Sequence, residues 1–263
     1  MIKDLEKIII SDLILFDKIY PPKGFDKNQI SKKIWDLICF IPAAFAHEEI
    51  KSNFKQDKHV VIDESKGAVF IHETARIGSF TRLEGPLFIG KDTKIMTHSN
   101  ISCSIINHNC KVGGEVHQSI FQPFSNKSHY GFVGHSFIGS WVNLGAGTTT
   151  SNMKNTYQDV KIKINEELVD TKQTFFGSII GEHVKTAIGT NLNSGTVIGM
   201  GSNVVSQSFP KRSIPPFSLY YKGKPKKISF DNFCNTAEKA MSRRGKSLSD
   251  TEKNKLHNIY KTC

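Results

Sequence analysis

Aliphatic residues recur at every sixth position over much of the stretch from Ile71 to Ser208, and this period constrains the fold of the chain more than any other feature. A helix would repeat its apolar residues about every 3.6 positions, and a half-buried strand about every second position. A period of six predicts short strands that each turn one aliphatic side chain inward before the chain rounds a corner, so that three strands complete one coil. The positions that carry the period are Ile71, Ile77, Leu83, Ile89, Ile95, Ile101, Ile138, Leu144, Ile180, Leu192, Ile198 and Val204.

Two smaller regularities accompany the period. A glycine often follows the aliphatic residue, as at Gly78 and Gly181, and a small or β-branched residue often stands four positions after it, as at Thr81 and Thr190. We expect the glycines to permit the tight corners of the coil. Stacked coils would bury a column of aliphatic side chains, and each coil would be stable only through its neighbours. The sequence therefore predicts an all-β fold, a parallel β-helix, although the period does not give its handedness.

Composition limits the class of partner and the compartment. The chain has 263 residues, 38% of them apolar, and a formal net charge of +11. An apolar fraction of this size allows a real core, and the positive charge favours an anionic partner such as nucleic acid, a membrane surface or a phosphorylated small molecule. The five cysteines show no CxxC spacing, which fits reduced thiols in a cytosol. Since the N-terminal residues show neither a signal peptide nor a membrane span, we expect a cytoplasmic protein.

The chain divides into three expected parts. Residues 1–54 would form an N-terminal extension, in which the apolar spacing from Asn28 onward predicts an amphipathic linker helix. Residues 55–217 would form the β-helix. Residues 218–263 would form a basic tail and a terminal helix that caps the open end.

The period is interrupted twice. Between Cys110 and Ile138 its phase slips, so we expect a loop to leave the coil near residues 119–131. A second departure spans residues 151–176, where Val160, Ile162 and Ile164 alternate with polar residues as in a projecting hairpin. Loops that interrupt a rigid solenoid commonly carry function.

At these two departures the sequence resembles the acetyltransferase domain of bifunctional glucosamine-1-phosphate N-acetyltransferase/N-acetylglucosamine-1-phosphate uridyltransferases, especially their divergent bacterial branch, within the hexapeptide-repeat acyltransferases. The resemblance covers roughly residues 28–220. Because few residues precede it, we expect no uridyltransferase domain. The segments that carry the resemblance are CKVGGEV (110–116), SNKSHYGFVGHSFIG (125–139), VNLGAGTTTSNMKN (142–155) and IIGEHVKTAIGTNLNSGTVIGMGSNV (179–204).

The resemblance implies a left-handed parallel β-helix that forms homotrimers, with active sites between subunits and acetyl-CoA lying along the coil. His129 matches the family's catalytic base, and an amine that attacks a thioester needs a base such as histidine, which titrates near neutral pH. Asn143 and Asn152 match substrate-contacting asparagines, whose amides can bind sugar hydroxyls. Ala146 and Gly147 match the segment that lines the acetyl-CoA thioester, where small residues let backbone N–H groups approach the carbonyl oxygen.

Four lysines are candidates for anionic ligands. Lys127 and Lys154 flank the matched asparagines and are expected to contact the acceptor. Lys224 and Lys227 fall where the family places cationic contacts to the phosphates of coenzyme A.

Two positions depart from the better-known bacterial pattern. Phe132 stands where that pattern has a tyrosine that helps bind the sugar phosphate, and His117 stands where it has a phosphate-binding lysine. Phenylalanine and neutral histidine are weaker phosphate ligands. These departures concern the acceptor more than the acetyl donor.

Other functions are open on the sequence alone. His98, His129 and His135 are a conceivable zinc-ligand set of a trimeric carbonic anhydrase, with His129 and His135 stacked on one face. Acyl transfer to a different amino sugar or sugar nucleotide, and a non-catalytic scaffold, are further alternatives. Nucleic-acid binding has only the net charge in its favour, since no platform of aromatic and basic residues is evident.

The sequence thus favours a homotrimeric, cytoplasmic acetyltransferase. It would use acetyl-CoA as donor, need no metal, and acetylate an aminosugar phosphate, with glucosamine-1-phosphate as the first candidate. Neither nucleic acid nor membrane insertion is expected.

Overall fold

The structure is a computed structural model that describes residues 54–164, 167–206 and 208–263. The expected N-terminal extension, with its linker helix, lies outside the described residues except for Phe54.

Short strands follow one another in coils of three through the first part of the solenoid. The first five coils contain β1 (Lys55–Gln56), β2 (Val61–Asp63), β3 (Val69–Ile71), β4 (Arg76–Ile77), β5 (Arg82–Glu84), β6 (Leu87–Ile89), β7 (Lys94–Ile95), β8 (Asn100–Ser102), β9 (Ile105–Ile106), β10 (Lys111–Val112), β11 (Glu115–His117), β12 (Ile120–Phe121), β13 (Asn126–Lys127), β14 (Phe132–Gly134) and β15 (Phe137–Ile138). The strands that follow are β16 (Thr149–Thr150), β17 (Lys161–Ile164), β18 (Glu167–Asp170), β19 (Ser178–Ile180), β20 (Lys185–Thr186), β21 (Asn191–Leu192), β22 (Thr196–Ile198), β23 (Asn203–Val205), β24 (Ser213–Ile214), β25 (Ser218–Tyr221) and β26 (Lys224–Lys227).

Strands of successive coils pair in parallel and form three faces. Face A consists of the first strand of each coil, β1, β4, β7, β10 and β13, and is continued by β20, β23 and β25. Asn143 joins the first five strands of face A to the strands that continue it. It forms a single-residue parallel bridge with Asn126 on one side and with Lys185 on the other. Face B contains β2, β5, β8, β11 and β14, followed by β16 and β21. Face C contains β3, β6, β9, β12, β15, β19, β22 and β24. The prediction of an all-β parallel β-helix is confirmed, with about nine turns.

The core is the aliphatic column that the period predicts. Every residue of the period is at most 2% exposed. Ile71 lies in register with Ile89 on face C, and Ile77 with Ile95 on face A, so like side chains stack from coil to coil. Each such buried side chain contributes about 1.5–3 kcal/mol relative to exposure.

The glycines after the aliphatic residues are needed for close stacking, and the expectation that they form the corners is wrong. Neither Gly78 nor Gly181 has a positive φ. A Cβ on Gly78 would lie 2.7 Å from the backbone nitrogen of Thr97, and one on Gly181 would lie 2.6 Å from that of Met200. Only glycine lets the next coil approach this closely.

Larger residues occupy many of the left-handed corner positions instead. Phe80 and His98 adopt positive φ at the corner between faces A and B, and Phe124 and Trp141 do so at the corner between faces C and A. Their rings stack on the equivalent ring of the next coil, with centroids 5.1 Å apart for Phe80 and His98 and 4.2 Å apart for Phe124 and Trp141. This stacking offsets the cost of the left-handed backbone conformation.

The first interruption of the period has a different cause from the one expected. Ile71 pairs with Ile89, eighteen residues further along the chain, whereas Ile106 pairs with Phe121 after fifteen residues. The phase therefore slips because the corners shorten, and residues 119–131 stay in the coil as β12 and β13.

The second interruption is a true insertion, but its hairpin does not project. Strands β17 and β18 pair antiparallel, as the alternation predicts. Val160 and Ile162 are fully buried, in a cluster with Phe137 and Ile179 of face C. The hairpin thus covers the outside of that face.

The C-terminal residues also differ from the expectation. Parallel stacking continues beyond the expected boundary at residue 217, since β25 pairs with β23 before β26 turns back on it. Two helices follow, α1 (Phe230–Ser242) and α2 (Asp250–Thr262). Phe233 of α1 packs on the rings of His183 and Phe217, so α1 lies against the corner between faces C and A instead of capping the open end.

Two further properties concern the cysteines and the helices. The cysteines within the described residues, Cys103, Cys110, Cys234 and Cys263, are free thiols. No helix in the described part of the chain combines the length and the apolar character that crossing a membrane requires.

The close approach of the coils can be tested by adding one methyl group. We expect Gly181→Ala to lower the free energy of unfolding by about 1–3 kcal/mol, because its Cβ would meet backbone and not a mobile side chain. Gly189→Asn is the control: its φ is +67°, which asparagine tolerates, and nothing lies within 4 Å of an added Cβ. Urea unfolding measures both, and equal destabilisation would contradict the stacking argument.

Candidate active site

Two adjacent coils bring candidate residues together at the corner between faces A and B. His129 and Tyr130 are exposed at this corner in the fifth coil, and Ala146 and Gly147 occupy it in the sixth. Gly147 has a φ of +74°, and a Cβ there would lie 3.0 Å from the Tyr130 hydroxyl. The tyrosine ring therefore packs on the glycine, directly beside His129 in the chain.

The two small residues differ in the hydrogen bonding of their backbone. The Gly147 N–H donates to the Tyr130 carbonyl at 3.1 Å. The Ala146 N–H makes no hydrogen bond within the described part of the chain, although its carbonyl accepts one from Gly189 at 2.7 Å. Of these two N–H groups, that of Ala146 has no acceptor among the described residues, and it is the donor type that an oxyanion site requires.

An amide pair lies on face A next to this corner. The side-chain nitrogen of Asn126 donates to the side-chain oxygen of Asn143, and the Ser128 hydroxyl donates to Asn126 at 2.6 Å. Asn143 is exposed, so part of its amide remains open to solvent. Lys185 follows Asn143 in register. Its ammonium donates to the His183 carbonyl at 2.9 Å, and burial lowers its pKa to about 8.

Lys127 does not face a ligand as expected, because the structure turns it inward. It is 1% exposed and takes the column position between Val112 and Leu144. Its ammonium donates to the carbonyls of Gly113 at 2.7 Å and His129 at 3.0 Å. Burial lowers its pKa to about 8. Lys127 therefore fixes the backbone of the His129 corner from inside the coil.

Asn152 lies beside face B. Its side-chain nitrogen is 2.9 Å from Nδ1 of His135, and burial lowers the pKa of His135 to about 4. A Cβ on Gly134 would meet both the Phe132 ring at 2.3 Å and the Asn152 amide at 3.0 Å. Phe132 and Asn152 thus share the space above that glycine.

The remaining lysines are away from the corner. The Lys154 ammonium donates to the Asp159 carbonyl within its own turn. Lys227 lies over the Tyr260 ring at 4.4 Å and donates to the Tyr260 carbonyl at 3.2 Å, which ties α2 to β26. Lys224 is exposed at the far end of face A, about five strand spacings or roughly 24 Å from Asn126.

Face B presents neutral imidazoles near the expected phosphate position. Nδ1 of His117 lies 2.8 Å from the Ser102 hydroxyl, and burial lowers its pKa. Its ring meets that of His135 at 5.4 Å between centroids. His117 supplies no charge there at neutral pH.

The three histidines of the zinc alternative do not come together within one chain. His98 and His129 belong to the corner between faces A and B, whereas His135 lies at the corner between faces B and C, so the expectation that His129 and His135 share a face is wrong. The described residues contain no group of three potential ligands that could hold a metal ion.

Three residues near the site were not singled out from the sequence: Asn126, Tyr130 and Lys185. All lie inside the quoted segments, but their neighbours are in other coils. Asn143 and Lys185 are forty-two residues apart in the chain and adjacent on face A, a relation that the inserted hairpin conceals.

Fold and site together define a class: a hexapeptide-repeat β-helix with a polar corner site assembled from neighbouring coils. No family model matches the chain. The bifunctional protein GlmU of Methanococcus aeolicus is 32% identical over 204 residues, which cover 74% of this chain and 47% of that protein. The bifunctional sugar-1-phosphate nucleotidylyltransferase/acetyltransferase of Sulfurisphaera tokodaii is 32% identical over 57% of this chain and 38% of its own length.

The chain thus spans about half the length, or less, of these curated relatives. The resemblance stated from the sequence motifs is confirmed, and the chain corresponds mainly to an acetyltransferase-like region. Among solved structures, the chain is similar to a Bacillus cereus protein titled an acetyltransferase, with 13% identity and a TM-score of 0.42, over 71% of this chain and 93% of that protein.

The inward lysine predicts a specific pH dependence. The pKa of Lys127 is about 8 in the folded chain and has an ordinary value of 10.5. Between pH 8 and pH 10.5 this lysine is more often protonated in the unfolded chain than in the folded one. Its contribution to the free energy of unfolding therefore rises as the pH rises through this window, and it is lost as the pH falls through the window. We expect the stability of the native protein relative to Lys127→Met to rise by on the order of 2–3 kcal/mol over this window.

Denaturant unfolding at several pH values measures that difference. Other titrating groups, including Lys185, are present in both proteins and cancel. A difference that stays constant with pH would show that Lys127 is not desolvated in the folded protein.

Proposed function

We propose that the chain transfers an acetyl group from acetyl-CoA to the amine of an amino sugar, with an aminosugar phosphate such as glucosamine-1-phosphate as the first candidate acceptor. One observation carries the proposal: an exposed histidine and an unbonded backbone N–H, at Ala146, lie at the same corner in adjacent coils. A general base and an oxyanion donor are the two groups that acyl transfer to an amine requires. The named acetyltransferase activity of a relative supports the same reaction.

In the proposed reaction the acceptor amine attacks the thioester carbonyl carbon, and His129 takes the proton that the nitrogen loses. The Ala146 N–H stabilises the negative charge that develops on the carbonyl oxygen. The carbon–sulfur bond then breaks, the thiolate of coenzyme A leaves and takes up a proton, and the acetylated amine remains. Lys127, which binds the His129 carbonyl, holds the corner and takes no part in the proton transfer.

Acetyl-CoA would place its thioester at this corner and its phosphates further along face A. Lys224 has no ionic partner among the described residues and lies at the far end of that face. Lys227 is bound to α2 and fits this role less well.

The acceptor would bind on Asn126 and Asn143, which offer free amide positions for sugar hydroxyls. Asn152 would contribute from face B. Lys185 follows Asn143 in register and would contact a phosphate. Because His117 and His135 are held neutral, face B favours an uncharged part of the sugar, and this keeps other amino sugars and sugar nucleotides as a second class of acceptor.

We also propose, from the resemblance, that the chain acts as a homotrimer in the cytoplasm, with neighbouring subunits completing the coenzyme A groove. Light scattering on the purified protein tests the assembly. A monomeric mass would exclude a site built between subunits.

Substitution of the base tests the mechanism. We expect His129→Ala to lower the rate of acetyl transfer by at least about 10²-fold, the usual scale for loss of a general base. The matched control is His98→Ala, since His98 is exposed at the same corner two coils earlier and should leave the rate unchanged. Release of free coenzyme A from acetyl-CoA measures both.

The assay offers glucosamine-1-phosphate beside unphosphorylated amino sugars and sugar nucleotides. Turnover with glucosamine-1-phosphate alone supports the first candidate acceptor, and turnover with a different compound identifies the second class. Unchanged turnover in His129→Ala would remove this residue from the mechanism. Binding of acetyl-CoA without turnover of any acceptor would contradict the proposed reaction with these acceptors, and absence of binding would favour a scaffold.

A further inference from the structure

A row of cations runs along the outer side of face A in the first four coils. Lys55, Arg76, Lys94 and Lys111 lie in register on β1, β4, β7 and β10, one on each coil. All four side chains are exposed. Adjacent strands are about 4.8 Å apart, so the row places four positive charges along roughly 14 Å. We call these four residues the basic row.

The basic row is not neutralised by ion pairs among the described residues. None of its members takes part in any of the ion pairs there, which involve Arg82, Lys66 and Lys172. Further cations approach it from the segment just after α1, because the Arg244 guanidinium donates to the Asn109 carbonyl at 3.4 Å, at the corner just before Lys111. The charges of Arg244, Lys94 and Arg243 lower the pKa of Lys111, together with its partial burial.

The basic row borders a groove and leads to the proposed acceptor site. Lys55, Arg76 and Lys94 line the groove, and Asp57 is its single acidic lining residue. Beyond Lys111 the same register continues to Asn126 and then to Asn143. A linear ligand on the row would therefore point one end at the amide pair.

The spacing of the charges in the basic row and the aromatic rings beside it favour one chemical class of anionic ligand over another. The row offers one positive charge per strand spacing, and a linear glycan with one acidic group on each sugar advances by a similar distance per residue. Single-stranded nucleic acid gains much of its affinity by stacking bases on open aromatic faces. The rings beside the row, His59, Phe80 and His98, are stacked on one another at 5.0 and 5.1 Å, so those faces are largely occupied.

We propose that the basic row binds an acidic oligosaccharide, a linear chain of sugars that carry carboxylate or sulfate groups. The bound chain lies along face A from Lys55 towards Lys111. The binding surface is independent of acetyl transfer. One extension rests on the proposed function: the end of this chain that reaches Asn126 and Asn143 is the part presented to His129.

Binding is measured with a fluorescently end-labelled oligogalacturonate, which has one carboxylate per sugar, by anisotropy at low ionic strength. We expect Lys94→Gln/Lys111→Gln to weaken binding about five- to tenfold, the scale for loss of two exposed charge contacts. Arg76→Gln alone should weaken it less, and raising the salt concentration should weaken binding to the native protein.

The matched control is Lys239→Gln/Lys261→Gln, which removes the same charge from exposed positions on α1 and α2 and should leave the affinity unchanged. A neutral oligosaccharide of the same length should not bind. Equal weakening by the two double variants, tighter binding of an oligothymidylate of equal charge, or binding of sugar nucleotides alone would each overturn the proposal.

His129→Ala separates this inference from the proposed function. We expect it to bind oligogalacturonate as the native protein does, because the basic row does not include His129. If the oligosaccharide binds through the row and no acceptor releases coenzyme A, acetyl transfer fails and the binding surface stands.

Discussion

The approach of each coil to the next is the constraint on which the rest of the molecule depends. Parallel strands must stack at about 4.8 Å to form their hydrogen bonds, and at that distance the backbone of one coil nearly touches the backbone of its neighbour. Gly78 and Gly181 show how little room remains, since even a methyl group would meet the next coil at 2.7 and 2.6 Å. The chain can therefore gain residues only at a corner, as it does with the hairpin that covers face C.

This stacking also assembles the candidate site. Residues far apart in the chain become neighbours when their coils are adjacent, as Ala146 and Gly189 do through a backbone hydrogen bond of 2.7 Å. The inner column takes part through Lys127, whose ammonium replaces an aliphatic side chain and binds the His129 carbonyl. A buried cation is unfavourable unless it is well satisfied. The Lys127 ammonium thus links the buried column to the backbone of the exposed corner that carries His129.

The sequence predicts the fold well because the residues of the six-residue period are the same residues that form the buried aliphatic column. Every residue of the predicted period is buried, and the alternation from Val160 to Ile164 correctly indicates a hairpin. Register within the irregular coils is harder to predict. Extending the period backward from Ile138 by steps of six places Phe132 and Asn126 inward, whereas the structure buries their neighbours Val133 and Lys127. A shift of one residue exchanges the two sides of a strand, and here it turns Lys127 inward, although its place beside the matched asparagines had predicted a contact with the acceptor.

The corners show a second limit of sequence reasoning. A glycine in a repeat suggests backbone freedom, but here steric exclusion between coils requires it, and the left-handed corners take rings such as Phe124 and Trp141. Whether a glycine serves the corner or the stack depends on what lies above it, which belongs to another part of the chain. The backbone conformation of one coil can be predicted from its own residues, but the residues that stack on it from the next coil cannot.

Because the solenoid repeats, equivalent positions of successive coils lie on the same face. Positive charges at such positions are therefore concentrated on one face. Face A carries the cations of the first four coils, and face C carries apolar residues beneath the hairpin. The neutral imidazole of His117 lies on face B, and that of His135 lies at the corner between faces B and C. Like charges at neighbouring positions repel, and the charge of Arg244, partial burial and the charge of Lys94 together lower the pKa of Lys111. A scattered distribution of the same lysines would avoid this cost. An ordered row in register with Asn126 and Asn143 is the arrangement that a linear anion would stabilise, and it ends where the chemistry is proposed to occur.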